Sequence, residues 1–163
     1  LARLKECGAT LVTAESCTGG LVAAALTTPA GASAVFLGGA VTYSNTLKTQ
    51  LLGVAEPLLV EHGAVSEPVA RAMAAGARER LGAHYAVALT GVAGPGGGTE
   101  AKPVGLVHYA AATPRGCVAA HKVFTGDRTA IRAASAAAPL RGIRHAGLRA
   151  DRPRQPVWRA RVL

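Results

Sequence analysis

The sequence predicts an α/β fold in which a mixed sheet lies between two layers of helices and ends in a late β-hairpin. Three observations predict it. Short apolar runs alternate with helical segments over the first half of the 163 residues. Two strand-like runs near the end are separated by a short Pro-Arg-Gly turn. Half of the residues are hydrophobic and only 4% are aromatic, which indicates one domain whose core is built from Ala, Val and Leu.

The first elements along the chain are a helix, a strand and a second helix. Residues 1–7 read as the end of a helix that Gly8 closes. The run TLVTA, at 10–14, is β-branched and apolar, which is typical of a buried strand. Small residues at 19–28 then predict a helix that stops before Pro29.

A second strand and two further helices follow. AVFLGGAVTY, at 34–43, predicts a strand in which Gly38-Gly39 allows a bulge or a close backbone approach. A helix over 44–53 begins at Ser44 or Asn45 as its cap, and Gly53 lies past its end. The next helix is predicted at 56–63.

The remaining elements complete the sheet and the second helical layer. A longer helix at 66–82 has Ser66 as its cap and a proline in its first turn, and residues 84–94 predict a strand that runs into a glycine-rich loop. Residues 104–113 and 117–126 form the predicted hairpin. Asp127 then caps a final helix over 127–138, and Pro139 is expected to break it.

Composition excludes several classes of protein. No stretch approaches the ~20 apolar residues of a membrane helix, and we expect neither a membrane span nor a signal peptide. Cys7, Cys17 and Cys117 form no CxxC pair, which favours reduced thiols in a cytoplasmic protein. The five histidines show no metal-ligand spacing, so we expect no structural zinc. We also expect no cofactor.

The net charge of +9 is concentrated at the end of the chain. Residues 1–140 carry 11 basic and 8 acidic residues, whereas 141–163 carry seven arginines and one aspartate. This Arg/Pro-rich segment is predicted to be a solvated, disordered tail, and the alternative is a tail that binds polyanions. Nucleic acid is therefore expected as a partner only through the tail.

Ser16 is the first candidate for chemistry. It follows the strand at 10–14 and precedes a predicted helix, where free N–H groups favour negative charge. A serine there can act as a nucleophile beside an oxyanion hole, with Gly19 and Gly20 allowing a ligand to approach. On residue type alone, Ser16 or Thr18 can equally be a helix cap.

Lys48 is the candidate activator of that serine. The polar segment TYSNTLK begins where the second strand ends, and Lys48 lies on the same helical face as Ser44. A desolvated lysine with a lowered pKa can take a proton from a serine. The alternative is an ordinary solvated lysine on the surface.

A glycine-rich loop and an arginine are candidates for binding phosphate. The segment TGVAGPGGG, at 90–98, follows a strand but lacks the order of a Walker loop. Its backbone N–H groups can wrap a phosphate, or the loop can be only a flexible connection. Arg128 lies in the first turn of the last helix, where the helix dipole disfavours a cation, which suggests a role in binding phosphate.

Five segments in this order resemble one known family. They are TAESCTGG, GGAVTYSNTLK, GAVSEPVA, ALTGVAGPGGGTEAKPVG and FTGDRTAIR. They are similar to the C-terminal domain of the competence/damage-inducible protein CinA and to its stand-alone members, the PncC nicotinamide mononucleotide deamidases. The resemblance runs from residue 1 to about residue 138, so we divide the chain into an amidohydrolase-like domain at 1–140 and an atypical tail at 141–163. Gly96 departs from the family pattern, in which many relatives have an acidic or polar residue.

The resemblance implies a compact α/β/α domain that hydrolyses the carboxamide of nicotinamide mononucleotide to give nicotinic acid mononucleotide and ammonia. It implies a homo-oligomer that binds neither a metal nor a membrane. Ser16 corresponds to the nucleophile and Lys48 to the general base, while Cys17 is interpreted as a packing residue and Glu15 has no assigned role. The remaining binding residues expected around the substrate are Thr18, Gly19 and Gly20 at the oxyanion, Tyr43 and Asn45 in the pocket, and Thr90, Gly91, Gly94 and Arg128 near the phosphate. The alternative is a non-catalytic nucleotide-binding or interaction module.

Overall fold

The predicted α/β fold is confirmed in a computed structural model, which describes the backbone of residues 1–142 and the side chains as far as residue 139. The helices are α1 Ala2–Glu6, α2 Leu21–Thr27, α3 Asn45–Leu52, α4 Glu56–His62, α5 Glu67–Arg80 and α6 Arg128–Gly142. The strands are β1 Leu11–Glu15, β2 Phe36–Val41, β3 Tyr85–Gly91, β4 Leu106–Thr113 and β5 Gly116–Val123. A single 3-10 turn, Ala32–Ala34, precedes β2.

The five strands form one mixed sheet in the order β2-β1-β3-β4-β5. The strand β1 runs parallel to both of its neighbours, β2 and β3. The later pairs, β3 with β4 and β4 with β5, are antiparallel, and the predicted hairpin is the β4–β5 pair. The three parallel strands therefore end at one edge of the sheet, where ligand sites of α/β folds usually lie.

Alternate residues of the central strands face two separate apolar layers. Val12 and Ala14 of β1 contribute to a cluster beneath α3, α4 and α5. Leu11 contributes to the opposite cluster, which also holds side chains of α1, α2 and α6. Because successive side chains of a strand point to opposite faces, the sheet packs against a layer of helices on each side. The central strands are therefore buried on both faces.

The Gly38-Gly39 pair does allow a close approach of β2 to β1. The pairing register shifts between Leu11 and Val12, so that Leu37 is the extra residue of a bulge. Gly39 lies opposite Thr13, and a Cβ atom at Gly39 would overlap the Thr13 hydroxyl oxygen. The glycine is therefore required by packing.

The expectation that Pro139 breaks the last helix was wrong. The helix α6 continues through Pro139 to Gly142. Proline at this place has no N–H to bond to the carbonyl of Ser135, and its ring crowds that carbonyl. The helix continues although Pro139 is buried within it, and the alanine-rich segment before the proline has a high helix propensity. Of the tail expected at 141–163, residues 141 and 142 end this helix and the rest lies outside the described residues.

Within residues 1–142, no helix has both the length and the apolar character needed to cross a membrane.

Candidate active site

The candidate site lies where the three parallel strands end. Ser16 follows β1 directly, and its N–H donates to the carbonyl of Leu89 on β3. The segment from Thr42 to Lys48 follows β2, and the N–H of Thr42 donates to the carbonyl of Glu15. The glycine-rich loop follows β3. Three segments that are distant in sequence therefore meet at one edge because their strands are neighbours.

Ser16 and Lys48 are in contact. The Oγ atom of Ser16 lies 3.2 Å from Nζ of Lys48. The same Nζ atom lies 2.9 Å from the carbonyl oxygen of Thr42 and 3.3 Å from that of Tyr43. Ser44 places the lysine by capping α3, since its Oγ accepts from the N–H of Leu47 at 3.1 Å.

The amine of Lys48 is buried without a carboxylate partner. Only 1% of this residue is exposed, and among the described side chains no acidic group forms an ion pair with it. Burial lowers the pKa of Lys48 from its ordinary value, because desolvation penalises the ammonium form. A neutral amine has two N–H donors and one lone pair. In that form the donors match the carbonyls of Thr42 and Tyr43 and the lone pair can accept from the Ser16 hydroxyl. In the ammonium form the third N–H donates to Ser16 Oγ.

Glu15 caps the helix that follows Ser16. The residue is buried, with 1% of its surface exposed. The Oε2 atom accepts from Thr18 Oγ1 at 2.7 Å and from the N–H groups of Gly20 and Val22 at 2.9 and 3.1 Å. The Oε1 atom accepts from the N–H of Ala23 at 2.8 Å. The carboxylate therefore satisfies N-terminal donors of α2, and no hydrogen bond or ion pair found among the described residues joins it to Lys48.

The cap leaves two N–H groups of the turn available. The N–H of Gly20 donates to Glu15, and that of Gly19 donates to the carbonyl of Ser16 at 3.0 Å. Within the described residues, the N–H groups of Cys17 and Thr18 have no oxygen acceptor. The turn needs its glycines, because Gly19 and Gly20 have φ angles of +60° and +100°.

Cys17 lies next to Ser16 but carries an unreactive thiol. Its side chain is buried in the apolar cluster with α1, α2 and α6. Burial raises the pKa of Cys17 to about 11, although the N–H groups of Cys17 and Thr18 near its sulfur act in the opposite direction. A thiol is a weak acceptor, so those N–H groups remain available to a stronger one. The thiol stays protonated near neutral pH and serves for packing.

Tyr43 and Arg128 connect the glycine-rich loop to the segment after β2. The Nη1 atom of Arg128 donates to the carbonyl of Gly94 at 2.6 Å, and its Nη2 donates to the Tyr43 hydroxyl at 2.9 Å. Both side chains are exposed. Asn45 is the first residue of α3 and is also exposed. Asp127 caps α6 through the N–H of Ala130, which places Arg128 in the first turn.

Thr90 and Gly91 have structural partners at the end of β3. The hydroxyl of Thr90 is buried and donates to the carbonyl of Ala64 at 2.8 Å. A Cβ atom at Gly91 would lie 2.6 Å from a methyl carbon of Val107, so this glycine allows β4 to pass closely. Neither residue touches the Ser16–Lys48 pair through a hydrogen bond of the described residues.

Sequence reasoning missed Arg132. Its Nε donates to the carbonyl of Cys17 at 3.1 Å, and its Nη2 donates to that of Thr18 at 2.9 Å. The available signal was the spacing of Arg128 and Arg132, which places both on one face of α6. The Thr42 carbonyl was also missed, because every residue has a backbone carbonyl and the residue type does not show which one is used.

Comparison with known proteins identifies the family. The CinA C-terminal domain family matches residues 1–146. A CinA-like protein from Prochlorococcus marinus (strain MIT 9313) is 61% identical over 121 residues, which are 74% of this chain and 28% of that protein. Another, from Mycolicibacterium gilvum (strain PYR-GCK), is 54% identical over 140 residues, which are 85% of this chain and 33% of the relative. The chain thus spans about a third of the length of these curated relatives.

Solved structures give the same result. The crystal structure of the competence/damage inducible protein CihA from Agrobacterium tumefaciens superposes with a TM-score of 0.86 at 45% identity, covering 88% of each chain. A CinA superfamily protein from Escherichia coli gives a TM-score of 0.80 at 37% identity, over 83% of this chain and 78% of that one. The sequence match, the relatives and the shared fold agree, and the chain belongs to the CinA C-terminal domain family.

Proposed function

We propose that the chain is an amidohydrolase that converts nicotinamide mononucleotide into nicotinic acid mononucleotide and ammonia. The observation that carries the proposal is the contact of 3.2 Å between Ser16 Oγ and Lys48 Nζ. A buried amine with a lowered pKa, bonded to two carbonyls and to one serine, has the properties of a general base. The family resemblance supplies the substrate.

Acylation needs only groups that lie at this edge of the sheet. Lys48 takes the hydroxyl proton as Ser16 Oγ bonds to the carboxamide carbon, and the carbonyl oxygen becomes an oxyanion. The N–H groups of Cys17 and Thr18, which have no oxygen acceptor in the part of the chain that the structure describes, are the donors that we assign to it. Lys48 then returns the proton to the amide nitrogen, the C–N bond breaks and ammonia leaves.

Deacylation repeats the proton transfers with water. Lys48 takes a proton from a water molecule as the water oxygen bonds to the acyl carbon. The ester bond to Ser16 then breaks as that proton moves to Oγ. The product is a carboxylic acid, which ionises at neutral pH. Neither step requires a metal.

Arg128 is the residue that we assign to the substrate phosphate. Its guanidinium is exposed, and it bonds to the Gly94 carbonyl and to the hydroxyl of Tyr43, whose own carbonyl contacts Lys48 Nζ. Arginine can bind two phosphate oxygens at once, and the phosphate would replace the weaker hydroxyl contact.

The test is release of ammonia from nicotinamide mononucleotide, with the nucleotide product identified by mass. Ser16→Ala and Lys48→Met should each lower kcat by about 10³-fold or more, and the double variant should be no worse than either, because the two residues act as a unit. Cys17→Ala is the matched control and should keep most of the activity, since its thiol is protonated and buried.

Two outcomes would contradict the proposal. Full activity in either the Ser16 or the Lys48 variant would exclude this pair as the catalytic dyad. Tight binding of the nucleotide without any ammonia release, by a folded protein, would instead favour a non-catalytic nucleotide-binding module.

A further inference from the structure

Arg132 joins α6 to the turn that follows Ser16. The residue lies in the second turn of the helix, and its two hydrogen bonds go to consecutive carbonyls, those of Cys17 and Thr18. Glu15 holds the same turn from its N–H side. The Glu15 carboxylate therefore accepts hydrogen bonds from N–H groups of the turn, and the Arg132 guanidinium donates hydrogen bonds to its carbonyls.

The first contact of Arg132 acts on the N–H of Thr18. The carbonyl of Cys17 and the N–H of Thr18 belong to one peptide group. A cation that bonds to the carbonyl oxygen polarises that group and makes its N–H a stronger donor. This N–H is one of the two in the turn that have no oxygen acceptor within the described residues.

The second contact reaches the N–H of Cys17 through a chain of hydrogen bonds. Arg132 bonds to the carbonyl of Thr18, whose peptide group carries the N–H of Gly19. That N–H donates to the carbonyl of Ser16 at 3.0 Å, and the Ser16 carbonyl shares a peptide group with the N–H of Cys17. Chains of this kind strengthen their members cooperatively.

We propose that Arg132 is a positioning residue that fixes the turn after Ser16 and strengthens the N–H groups of Cys17 and Thr18 as donors to the oxyanion. The inference rests on the proposed amide hydrolysis and adds a residue to it. Arg132 touches neither Ser16 nor Lys48 through a hydrogen bond of the described residues, so its effect is exerted through the peptide groups. It acts on the transition state and leaves the binding of substrate nearly unchanged.

The proposal is tested with Arg132→Met, Arg132→Lys and a matched control. Arg78→Met is that control, because the Nε of Arg78 also donates to a carbonyl, that of His84, at 2.9 Å, but at the opposite end of the sheet. We measure kcat and KM for nicotinamide mononucleotide, the melting temperature, and the rate at which a fluorophosphonate phosphonylates Ser16, followed by mass. In that reaction Ser16 Oγ loses its proton to Lys48 and bonds to phosphorus, the P–F bond breaks and fluoride leaves, and the phosphoryl oxygen occupies the oxyanion position.

Loss of a complete oxyanion donor lowers kcat by about 10² to 10³-fold, and an indirect effect through peptide groups should lower it by about tenfold. Arg132→Met should show this loss in kcat and in the phosphonylation rate, with KM changed less than about twofold. Arg132→Lys should recover part of both rates, since an ammonium can bond to one carbonyl. Arg78→Met should lower the melting temperature without changing either rate per folded molecule.

The proposal is overturned if Arg132→Met keeps both rates, or if its losses equal those of Arg78→Met. It is also overturned if KM rises while kcat stays constant. A wild-type protein that is phosphonylated at Ser16 but releases no ammonia contradicts the proposed substrate only, and the phosphonylation rates still decide the role of Arg132. A wild-type protein that resists phosphonylation contradicts both proposals.

Discussion

Glu15 gains its role from its surroundings in the fold. A glutamate at the end of a strand carries no signal for a helix cap, because the cap position of α2 belongs to Gly20, which has no side chain. The carboxylate of Glu15 reaches that position from five residues earlier and accepts four hydrogen bonds. A buried charge is stabilised here by donors and by the positive end of the helix dipole.

Glu15→Gln should therefore destabilise the protein although it preserves size. The amide NH2 group must replace one carboxylate oxygen, and each of the four groups that bond to those oxygens is itself a donor. An unsatisfied buried pair of donors costs about 1 to 3 kcal/mol of the free energy of unfolding, measured by urea titration. Glu56→Gln is the control, because Glu56 is also in the first turn of a helix but is exposed. Equal stabilities for the two variants would contradict the capping role.

At the scale of elements, the contact between α3 and α5 sets the place of Lys48. Gly76 lies inside α5, and a Cβ atom there would overlap the carbonyl oxygen of Leu52, the last residue of α3. The missing side chain lets the two helices approach closely. Because Lys48 lies one turn before Leu52, this packing also decides how near the amine lies to Ser16.

Gly76→Ala should destabilise the protein, against the usual preference for alanine in helices. Propensity favours alanine by about 1 kcal/mol, but overpacking against a backbone atom costs about 1 to 3 kcal/mol and displaces α3. We expect a lower melting temperature together with a lower kcat. Gly96→Ala is the control, since its Cβ would have no heavy atom within 4 Å. A Gly76→Ala protein that is more stable than the wild type would show that α3 can shift without cost.

Element type and order could be predicted from the sequence, whereas several contacts could not. The run TLVTA predicts β1 because β-branched residues and a short apolar run are local signals. The hydrogen bonds of Arg132 to the Cys17 and Thr18 carbonyls join residues more than a hundred positions apart. Every residue has a backbone carbonyl, so the sequence does not mark which carbonyls accept these bonds. The error at Pro139 has a related cause, since the burial of its ring depends on tertiary packing.

At the scale of the whole molecule, the Ser16–Lys48 contact joins the two helical layers. Lys48 is on α3, whose residue Leu52 packs in the cluster with α4 and α5. Cys17, next to Ser16, packs in the cluster on the other face of the sheet. Neither layer alone can place both groups, so the environment that lowers the pKa of Lys48 exists only in the complete fold. The titration of this amine is thus linked to global unfolding.

That linkage predicts how stability depends on pH. The pKa of Lys48 is lowered in the folded protein from an ordinary value of 10.5, so between the two pKa values the unfolded chain binds more protons than the folded one. The free energy of unfolding must then rise with pH in that window, by up to about 1.4 kcal/mol per pH unit for one group. The destabilisation from burying the ammonium is complete below the folded pKa and disappears above 10.5.

Lys48→Met should remove this dependence while filling a similar volume. The free energy of unfolding of the variant minus that of the wild type should therefore be largest below the folded pKa of Lys48 and should decrease as pH rises toward 10.5, because only the wild type gains stability there. Urea titrations at several pH values measure the difference, in which the other ionising groups cancel. Lys5→Met is the control, since the Lys5 side chain is exposed to solvent in the folded chain as well as in the unfolded chain. If the difference in the free energy of unfolding between Lys48→Met and the wild type stays constant across this window, the buried amine keeps its proton on folding. A lysine that keeps its proton cannot accept the proton of Ser16.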